Sequence, residues 1–485
     1  MAAELTQTIP GAPEKRSSAG SAQAPALKLD PRTFERGLSC VHCGLCLPVC
    51  PTFTQTGHEA DSPRGRIQLM LGLASGEIQP TDSVRHHLDL CLDCRACETA
   101  CPSGVVYHEL IEETRSRLSK TQPLAGQQRL MRWIFFNIFV YPARLKLALL
   151  PARILQKMGM YSLLRKWGVF DCLPSSLRKM EQMLPPTGPL WPKALPETTL
   201  ARDTGFQPVP TTSGDGRFSN LEDRQHGLKT RVTGKSGKPV IGFFAGCIGS
   251  VMFEEVNRKA VELLAACGAD VVATHRQVCC GAIHHHSGED EPAKAFARRN
   301  IDAFCPESGP AVDFIVTNIA GCGATLREYD LLLRDDPRYA ERAKDFAARV
   351  RDISEVLVML DLPEMKYPIE QATTYHDACH LAHAQRVTAA PRKLLSRIPG
   401  LKLVPLPDSD MCCGAAGTYN LTQPEMSAQL AGRKLANIAS TGARICVTGN
   451  VGCAMQIQSE AEARGQKLRV AHPVELLHEA VFGRK

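Results

Sequence analysis

No segment of this 485-residue sequence is long and apolar enough to cross a membrane as a helix. The sequence has no window of eighteen uncharged apolar residues, whereas a spanning helix needs about 20. The first thirty residues are rich in Ala, Ser, Pro and Gly, and they lack both the apolar stretch of a secretory signal and a twin-arginine pair. We therefore expect residues 1–30 to form a disordered tail and not an export signal.

Short catalytic motifs are also missing. The sequence contains no G-x-G-x2-G dinucleotide fingerprint, no nucleophile elbow and no zinc-hydrolase helix. The chain therefore has no recognisable means of removing a hydride from a substrate by itself.

Acidic residues are absent from one long stretch. Between Thr114 and Phe170 there are eleven Lys and Arg residues and no Asp or Glu, interleaved with apolar runs at 133–136 and 147–150. Basic amphipathic helices of this kind lie on anionic lipid or dock a partner. Linking helices that pack under a neighbouring domain are the alternative. No nucleic-acid-binding motif accompanies the charge, so nucleic acid is not an expected partner.

Cysteine, in contrast, is abundant, and eight of the twenty cysteines form two runs with the spacing Cys-x2-Cys-x2-Cys-x3-Cys-Pro. This spacing is typical of proteins that hold two 4Fe-4S clusters. Because a proline turns the chain away after each run, its last cysteine is expected to bind the other cluster. The predicted ligands are a first ferredoxin set, Cys40, Cys43, Cys46 and Cys101, and a second ferredoxin set, Cys91, Cys94, Cys97 and Cys50.

Zinc sites and disulfides are the alternatives for these eight cysteines. Zinc usually takes two separated pairs of ligands, and disulfides need an oxidising compartment, so the clusters are favoured. Thiolate ligands also indicate a reducing compartment. We expect a cytoplasmic protein, peripheral on the cytoplasmic side of the inner membrane if its basic segment meets lipid.

The second half of the chain contains an internal repeat. Each copy has one cysteine, then Cys-Cys-Gly-Ala, then a Gly-Cys pair, with offsets of 32 and 42 residues in the first copy and 33 and 40 in the second. Short β-branched runs alternate with amphipathic stretches in both copies, which indicates two duplicated α/β domains. The cysteines follow predicted strands, where ligands converge in α/β sheets.

The predicted fold is therefore multidomain, α plus α/β. Helices are expected at 62–76 and 83–90, from capping residues and apolar stripes. The predicted segments are a tail at 1–30, an α-helical ferredoxin domain at 31–120, a basic amphipathic helical segment at 121–184, a Pro/Gly-rich linker or excursion at 185–238, and the two repeats at 239–368 and 369–485.

A helical two-cluster ferredoxin domain followed by two cysteine-rich CCG domains resembles the iron-sulfur subunit of glycolate oxidase. The resemblance rests on the runs at 40–44, 61–67 and 91–104 and on the two Cys-Cys-Gly motifs. It implies an electron-transfer subunit of a glycolate (2-hydroxy-acid) dehydrogenase complex, not catalytic alone. Such a subunit takes electrons from FAD-containing 2-hydroxy-acid oxidase subunits and passes them toward a quinone or other membrane acceptor.

Three other interpretations stay open. The anaerobic glycerol-3-phosphate dehydrogenase has an iron-sulfur component, its C subunit, with the same domain order. The CCG domain also occurs twice in the heterodisulfide reductase B subunit, so a thiol-disulfide or quinone reductase is a second alternative. A scaffold that only holds flavin subunits together is the third.

The resemblance to CCG domains also implies that the repeats hold further iron-sulfur clusters. The fullest CCG pattern has a fifth cysteine, which is replaced here by Ile319 and Asn450, and this weighs against disulfide cleavage. Four thiolates suffice for an ordinary cluster, and an empty thiol cage is the alternative. The predicted ligands are a first repeat set, Cys247, Cys279, Cys280 and Cys322, and a second repeat set, Cys379, Cys412, Cys413 and Cys453.

Some residues are secondary candidates, each with an ordinary local role as the alternative. Histidines beside the repeat cysteines are candidate ligands, proton carriers or donors to sulfur, namely His284, His285, His286, His376, His380 and His383. Arg64 and Arg66 are candidates for raising cluster potentials or facing a partner. Four cysteines without motif partners are expected to be buried small residues, namely Cys172, Cys267, Cys305 and Cys446.

Overall fold

The computed structural model describes most of the chain. The described ranges are 27–121, 126–184, 189–200, 221–223, 228–230, 238–307 and 312–484. Nearly all of the predicted tail and much of the predicted linker lie outside them.

The first described part of the chain, up to residue 121, contains helices and loops only. A 3-10 turn at Glu59–Asp61 precedes the third helix. The α-helices are α1 Pro31–Leu38, α2 Pro51–Thr56, α3 Pro63–Ser75, α4 Asp82–Asp89, α5 Ala96–Thr99 and α6 Tyr107–Ser119.

Local sequence explains where α3 starts and stops. The Ser62 hydroxyl accepts a hydrogen bond from the Gly65 backbone N–H, Pro63 occupies the first turn, and Gly76 ends the helix with φ 82°. The predicted helices at 62–76 and 83–90 are thereby confirmed. Met70 of α3 and Leu110 of α6 are fully buried in the core between these helices.

The basic segment is also helical. It consists of α7 Gly126–Ile134, a π-helical turn Phe135–Phe139, α8 Pro142–Lys157, α9 Met160–Lys166, a 3-10 turn Val169–Cys172 and α10 Ser175–Gln182. Within the described residues no single helix meets the length and hydropathy expected of a membrane span. Arg129–Phe139 and Pro142–Lys157 satisfy them only as a pair bent by 108°.

The first repeat is built on a five-stranded sheet of order β1-β5-β4-β6-β7, in which only β1 is antiparallel. A separate two-stranded ribbon joins β2 and β3. The strands are β1 Thr198–Thr199, β2 Leu221–Asp223, β3 Leu228–Thr230, β4 Val240–Phe243, β5 Asp270–Val272, β6 Phe314–Thr317 and β7 Val350–Asp352. The helices are α11 Gly249–Met252, α12 Glu254–Ala266, α13 Ala282–His285, α14 Asp290–Phe304, α15 Ala320–Arg327, α16 Tyr329–Leu332, α17 Ala340–Arg349 and α18 Ile353–Met359.

The second repeat has a four-stranded parallel sheet of order β11-β10-β8-β9. Its strands are β8 Ala372–His376, β9 Lys402–Val404, β10 Ile445–Thr448 and β11 Arg469–Ala471. Its helices are a π-helical turn His380–Ala384, α19 Ala389–Leu395, α20 Tyr419–Thr422, α21 Pro424–Ser440, α22 Val451–Ala463 and α23 Pro473–Phe482. The four parallel strands of the first repeat follow the same order, as duplication predicts.

The two repeats share one hydrophobic core. Helix α18 of the first repeat packs against α19 of the second, and α23 of the second packs against α12 of the first. Leu357 and Leu477, one from each exchanged helix, are fully buried in the same cluster. The exchange fixes the orientation of the two repeats and hence of the cysteines at the ends of their strands.

Candidate metal centres

The two ferredoxin runs fold into loops of the same shape. His42 and Gly44 in the first run and Asp93 and Arg95 in the second have φ values of 54°, 84°, 51° and 62°. Residues other than glycine rarely adopt this left-handed backbone conformation. They retain it where the surrounding structure stabilises it. Both loops are thus wound tightly enough to turn neighbouring thiols toward one point.

The first ferredoxin set lines a pocket that opens to solvent. Cys40, Cys43, Cys46 and Cys101 surround it together with Cys97, and its empty volume is about 420 Å³. Cys43 is exposed. The converging thiols fit an iron-sulfur cluster at this place.

The second ferredoxin set lies deeper, because Cys50, Cys91 and Cys94 are buried. Burial raises the pKa of Cys94 and of Cys97, and the charge of Cys50 adds to both shifts. Cys50 also contributes to the raised pKa of Cys46, after the larger effect of burial. The thiols of the two sets are therefore neighbours, and the division of ligands between them stays a prediction.

The first repeat set forms a compact thiol cage. The Sγ atoms of Cys247 and Cys279 are 3.5 Å apart. Hydrogen bonds to Cys247 and Cys280, followed by burial, raise the pKa of Cys279. The thiols of Cys279 and Cys322 in turn lower the pKa of Cys280. Thiols that hydrogen-bond one another in this way form a cage that takes up metal when the thiols lose their protons.

The second repeat set has an additional potential donor. A hydrogen bond to Cys412 and burial raise the pKa of Cys379. His376 is fully buried, and one of its ring nitrogens lies within 4.8 Å of the thiols of Cys413 and Cys453. Its Nδ1 is 3.0 Å from the Ser409 carbonyl oxygen, which leaves Nε2 without a hydrogen-bond partner. The first repeat has Phe244 at the equivalent place.

The residues that replace the fifth cysteines behave differently. Ile319 is buried beside the first repeat set, where a Cβ on Gly246 would meet both its Cδ1 and the Cys322 sulfur. Asn450 donates from Nδ2 to the Cys453 sulfur at 3.4 Å. Its Oδ1 accepts from the Gly321 backbone N–H at 3.3 Å, next to Cys322. Asn450 therefore connects the two repeat sets.

The second ferredoxin set packs directly against the second repeat set. Cys94 and Cys412 are buried in one apolar cluster with Leu92 and Tyr419, and Cys379 lies at its edge. The second ferredoxin set is therefore adjacent both to the first ferredoxin set and to the second repeat set, and Asn450 links the second repeat set to the first.

A buried polar network joins the ferredoxin domain to the first repeat. Arg95 forms an ion pair with Glu328 and lies 3.8 Å from Glu112. Glu112 contacts His285 at 3.1 Å and His286 at 2.8 Å. Burial alone would raise the pKa of Glu112, but the two histidines hold it well below its usual range.

Other members of this network are also perturbed. Burial disfavours the charged form of His285, yet Glu112 and Asp290 raise its pKa to about 10. Burial raises the pKa of Asp93 to about 6, with a further contribution from Glu112. Burial, together with Arg95, lowers the pKa of His380 to about 4.

The carboxylates of this network are not among the residues that the sequence patterns single out. Asp93 repeats the position of His42. Glu112 is buried in α6, about 200° around the helix axis from Leu110. No local sequence pattern marked either carboxylate, because their burial comes from tertiary packing.

Arg64 and Arg66 have different surroundings. Arg64 lines the first pocket and donates to the His42 carbonyl at 3.1 Å. Arg66 is 1% exposed and donates to the His87 carbonyl oxygen and the Thr52 hydroxyl. The alternative of a solvated arginine is therefore wrong for Arg66.

The remaining secondary candidates divide as well. His284 stacks on Phe136, with ring centres 4.4 Å apart, and His383 contacts Thr99 of the ferredoxin domain at 3.1 Å. Cys172 is exposed, so the prediction of a buried residue is wrong there. It lies in a 3-10 turn of the basic segment, and no residue of this turn is buried. The buried position is confirmed for the other three, Cys267, Cys305 and Cys446.

Three family models match the chain. A 4Fe-4S dicluster domain matches residues 37–105, and a cysteine-rich domain matches 241–327 and 373–458. The linker region of the glycolate oxidase iron-sulfur subunit matches residues 127–184.

Two similar proteins cover nearly the whole chain, and a third covers about half of it. The probable glycolate oxidase iron-sulfur subunit of Bacillus subtilis (strain 168) is 38% identical over 451 residues, which is 91% of this chain and 94% of that protein. The glycolate oxidase iron-sulfur subunit of Escherichia coli (strain K12) is 30% identical over 443 residues, with the same coverage of 91% and 94%. Lactate utilization protein A of Shouchella clausii is 31% identical over 239 residues, which is 49% of this chain and 98% of that protein.

Proposed function

The chain belongs to the family of glycolate oxidase iron-sulfur subunits, and we propose that it takes electrons from the flavin of partner subunits at the first ferredoxin set and delivers them to a quinone at the membrane. As a member of this family it is an electron-transfer subunit of an oxidoreductase complex and is not catalytic alone. Iron-sulfur clusters, when bound, accept and release single electrons, and a reduced flavin can give up its two electrons one at a time.

The observation that carries the proposal is the adjacency of successive cysteine sets, with the first ferredoxin set open to solvent. Around that set, Leu38, Val41 and Leu45 are 61%, 67% and 55% exposed. Exposed apolar residues next to a functional pocket are typical of a protein–protein contact. We therefore place the flavin partner on this apolar collar.

The first repeat set lies beside the basic segment. Val140 shares a core with Cys279 and Cys280, and Phe136 covers His284. The segment thus packs directly against the first repeat set, so an acceptor bound there would be close to these cysteines.

The outer face of the basic segment suits a lipid surface. Nine of the fourteen exposed large apolar side chains of the described residues lie between Leu130 and Val169. Lys and Arg accompany them without any acidic residue up to Asp171. Apolar and basic side chains on one surface bind anionic lipid without spanning it, and this supports a quinone as the acceptor.

The electron-carrier role is tested by reconstitution. The anaerobically purified chain alone should not oxidise glycolate, and adding its FAD subunits should give glycolate-dependent reduction of a quinone. The exposed-collar variant Val41→Ser should raise the concentration of FAD subunits needed for half-maximal rate, with Tyr367→Ser as the matched exposed control. Glycolate oxidation by the chain free of flavoprotein would refute the electron-carrier role.

The membrane role has a separate test. The protein should float with vesicles that contain phosphatidylglycerol, and the double variant Trp133→Ser/Trp167→Ser should float at least several-fold less. Tyr367→Ser is again the control, since Tyr367 is exposed but lies in the second half of the chain. Equal flotation of all three proteins would contradict the assignment of the basic segment to lipid.

The glycerol-3-phosphate alternative has less support. Relatives named for glycolate and lactate, both 2-hydroxy acids, cover 91% and 49% of this chain respectively. The complex with the FAD subunits that restore activity should be tested with glycolate, lactate and glycerol 3-phosphate. The substrate that it oxidises distinguishes these donors.

A further inference from the structure

A buried carboxylate without a hydrogen-bond partner lies between the ferredoxin domain and the first repeat. Asp93 is 6% exposed, and neither of its carboxylate oxygens has a hydrogen-bond partner. The nearest ion-pairing atom is His286 Nδ1, 3.6 Å from Asp93 Oδ2. A buried carboxylate that accepts no hydrogen bond is unfavourable, so this side chain calls for a positive ligand.

Two further donors converge on the same point. Asp93 Oδ, Glu112 Oε and a ring nitrogen of His286 all lie within 4.8 Å of one another. The Glu112–His286 distance is 2.8 Å. Neighbouring ligands around a first-row cation with bonds of about 2.1 Å are roughly 3–3.5 Å apart, so the set needs only small side-chain movements to enclose one.

The charges around these residues favour a divalent cation. The connected network holds five carboxylates, Asp93, Glu98, Glu112, Asp290 and Glu328. Their negative charges are opposed by three positive charges, even when His108 and His285 are counted as protonated. These charges are Arg95, His108 and His285. The excess is two negative charges, with His286 neutral as a ligand must be.

We propose that Asp93, Glu112 and His286 bind a divalent first-row transition cation, separate from the sixteen cysteines of the four sets. Two carboxylates and one imidazole are a donor set suited to Mn²⁺, Fe²⁺ or Zn²⁺. Asp93 belongs to the loop of the second ferredoxin set, Glu112 to α6 and His286 to the end of α13. The cation therefore fastens the loop of the second ferredoxin set to the first repeat.

The experiment uses the full-length protein with its clusters loaded and oxidised, and it is done under anaerobic conditions. Mn²⁺ is the probe. Paramagnetic resonance should show loss of the free Mn²⁺ six-line signal, corresponding to about one ion bound per chain. Zn²⁺ should displace Mn²⁺ and restore the signal, because Zn²⁺ binds such sites more tightly.

Variants assign the ligands. Asp93→Asn and His286→Gln, each close in shape to the original, should weaken Mn²⁺ binding at least tenfold. Glu113→Gln is the matched control, since Glu113 lies on the same helix and pairs with Arg117 outside the triad. Its Mn²⁺ affinity should equal that of the unaltered protein.

Two outcomes would overturn the proposal. One is that adding the unaltered protein leaves the free Mn²⁺ signal unchanged at every Mn²⁺ concentration up to the millimolar range. The other is equal binding by Asp93→Asn, His286→Gln and Glu113→Gln. Far-ultraviolet circular dichroism and iron content of each variant separate loss of the site from loss of the fold, and the result requires neither substrate nor partner.

Discussion

Cys50 lies where the two ferredoxin sets meet. Its thiol is buried and close to Thr52 Oγ1, and it affects the pKa of Cys46 as well as those of Cys94 and Cys97. Its ligand role therefore depends on which cluster it completes, and single substitutions can decide this.

We predict that Cys50→Ala damages the cluster of Cys91, Cys94 and Cys97. The fourth cysteine follows a longer gap and precedes Pro51, which directs the chain toward the other set. Alanine removes the thiolate without adding bulk, so the three-cysteine site should lose iron or convert to a 3Fe form. Paramagnetic resonance of Cys50→Ala and Cys43→Ala should show loss of different signals. Loss of the same signal in both would mean that each run binds its own cluster.

His108 predicts a pH dependence of stability. Burial opposes its charge, but Glu98 and Glu328 raise its pKa to about 9, above the unfolded value of 6.5. A raised pKa stabilises the folded state fully below pH 6.5, and this contribution is lost as pH rises through 9. The expected loss is on the order of 3 kcal/mol.

The measurement is anaerobic urea unfolding at pH 6 and pH 9.5. His108→Gln should lose less stability over this pH range than the unaltered protein. The exposed-site control His58→Gln should lose as much stability as the unaltered protein. An identical pH dependence in His108→Gln would exclude this histidine as the cause.

At the scale of elements, the exchange of α18 and α23 ties the two repeats into one unit. Leu357 of α18 is fully buried in the core that both repeats share. Removing its side chain should therefore destabilise both repeats together.

We predict that Leu357→Ala lowers the free energy of unfolding by about 2–5 kcal/mol, the usual cost of a buried Leu-to-Ala change. Unfolding followed by circular dichroism should remain one transition at lower urea. Leu331→Ala, a partly exposed leucine in the same repeat, should have a smaller effect. Two separate transitions, with only one shifted, would contradict the shared core.

At the scale of the whole molecule, short-range sequence signals predicted the secondary-structure elements. The contacts between elements far apart in sequence could not be predicted from these signals. Ser62, Pro63 and Gly76 act within one helix, so α3 could be predicted from capping rules. The matching cysteine offsets likewise predicted two similar α/β repeats. The exchange of α18 and α23 and the edge strand β1 depend on residues far apart in sequence, and no local pattern encodes them.

The candidate sites show the same division. Cysteine spacing identified the eight ferredoxin ligands, because ligand spacing within each run follows from local loop geometry. The eight repeat cysteines were predicted as ligands from the internal repeat and its resemblance to CCG domains. The burial of Arg66, the bridge made by Asn450 and the triad of Asp93, Glu112 and His286 arise only when separate segments pack together. These residues have ordinary neighbours in the sequence and acquire their chemistry from the tertiary structure.

Iron content tests how many of the four cysteine sets are filled. The two ferredoxin sets should give at least about eight irons per chain after anaerobic purification, since each cubane holds four. We expect more than that if the repeat cages, whose thiols also converge, carry clusters. The variant Cys280→Ser/Cys413→Ser removes one thiolate from each repeat set and should lower the iron toward about eight, since a site with three thiolates loses iron or keeps only a 3Fe form. Cys267→Ser is the control for a buried cysteine outside the sets. Iron near four with stoichiometric zinc would instead mean that one ferredoxin set is a zinc site, because four thiolates also suit tetrahedral zinc.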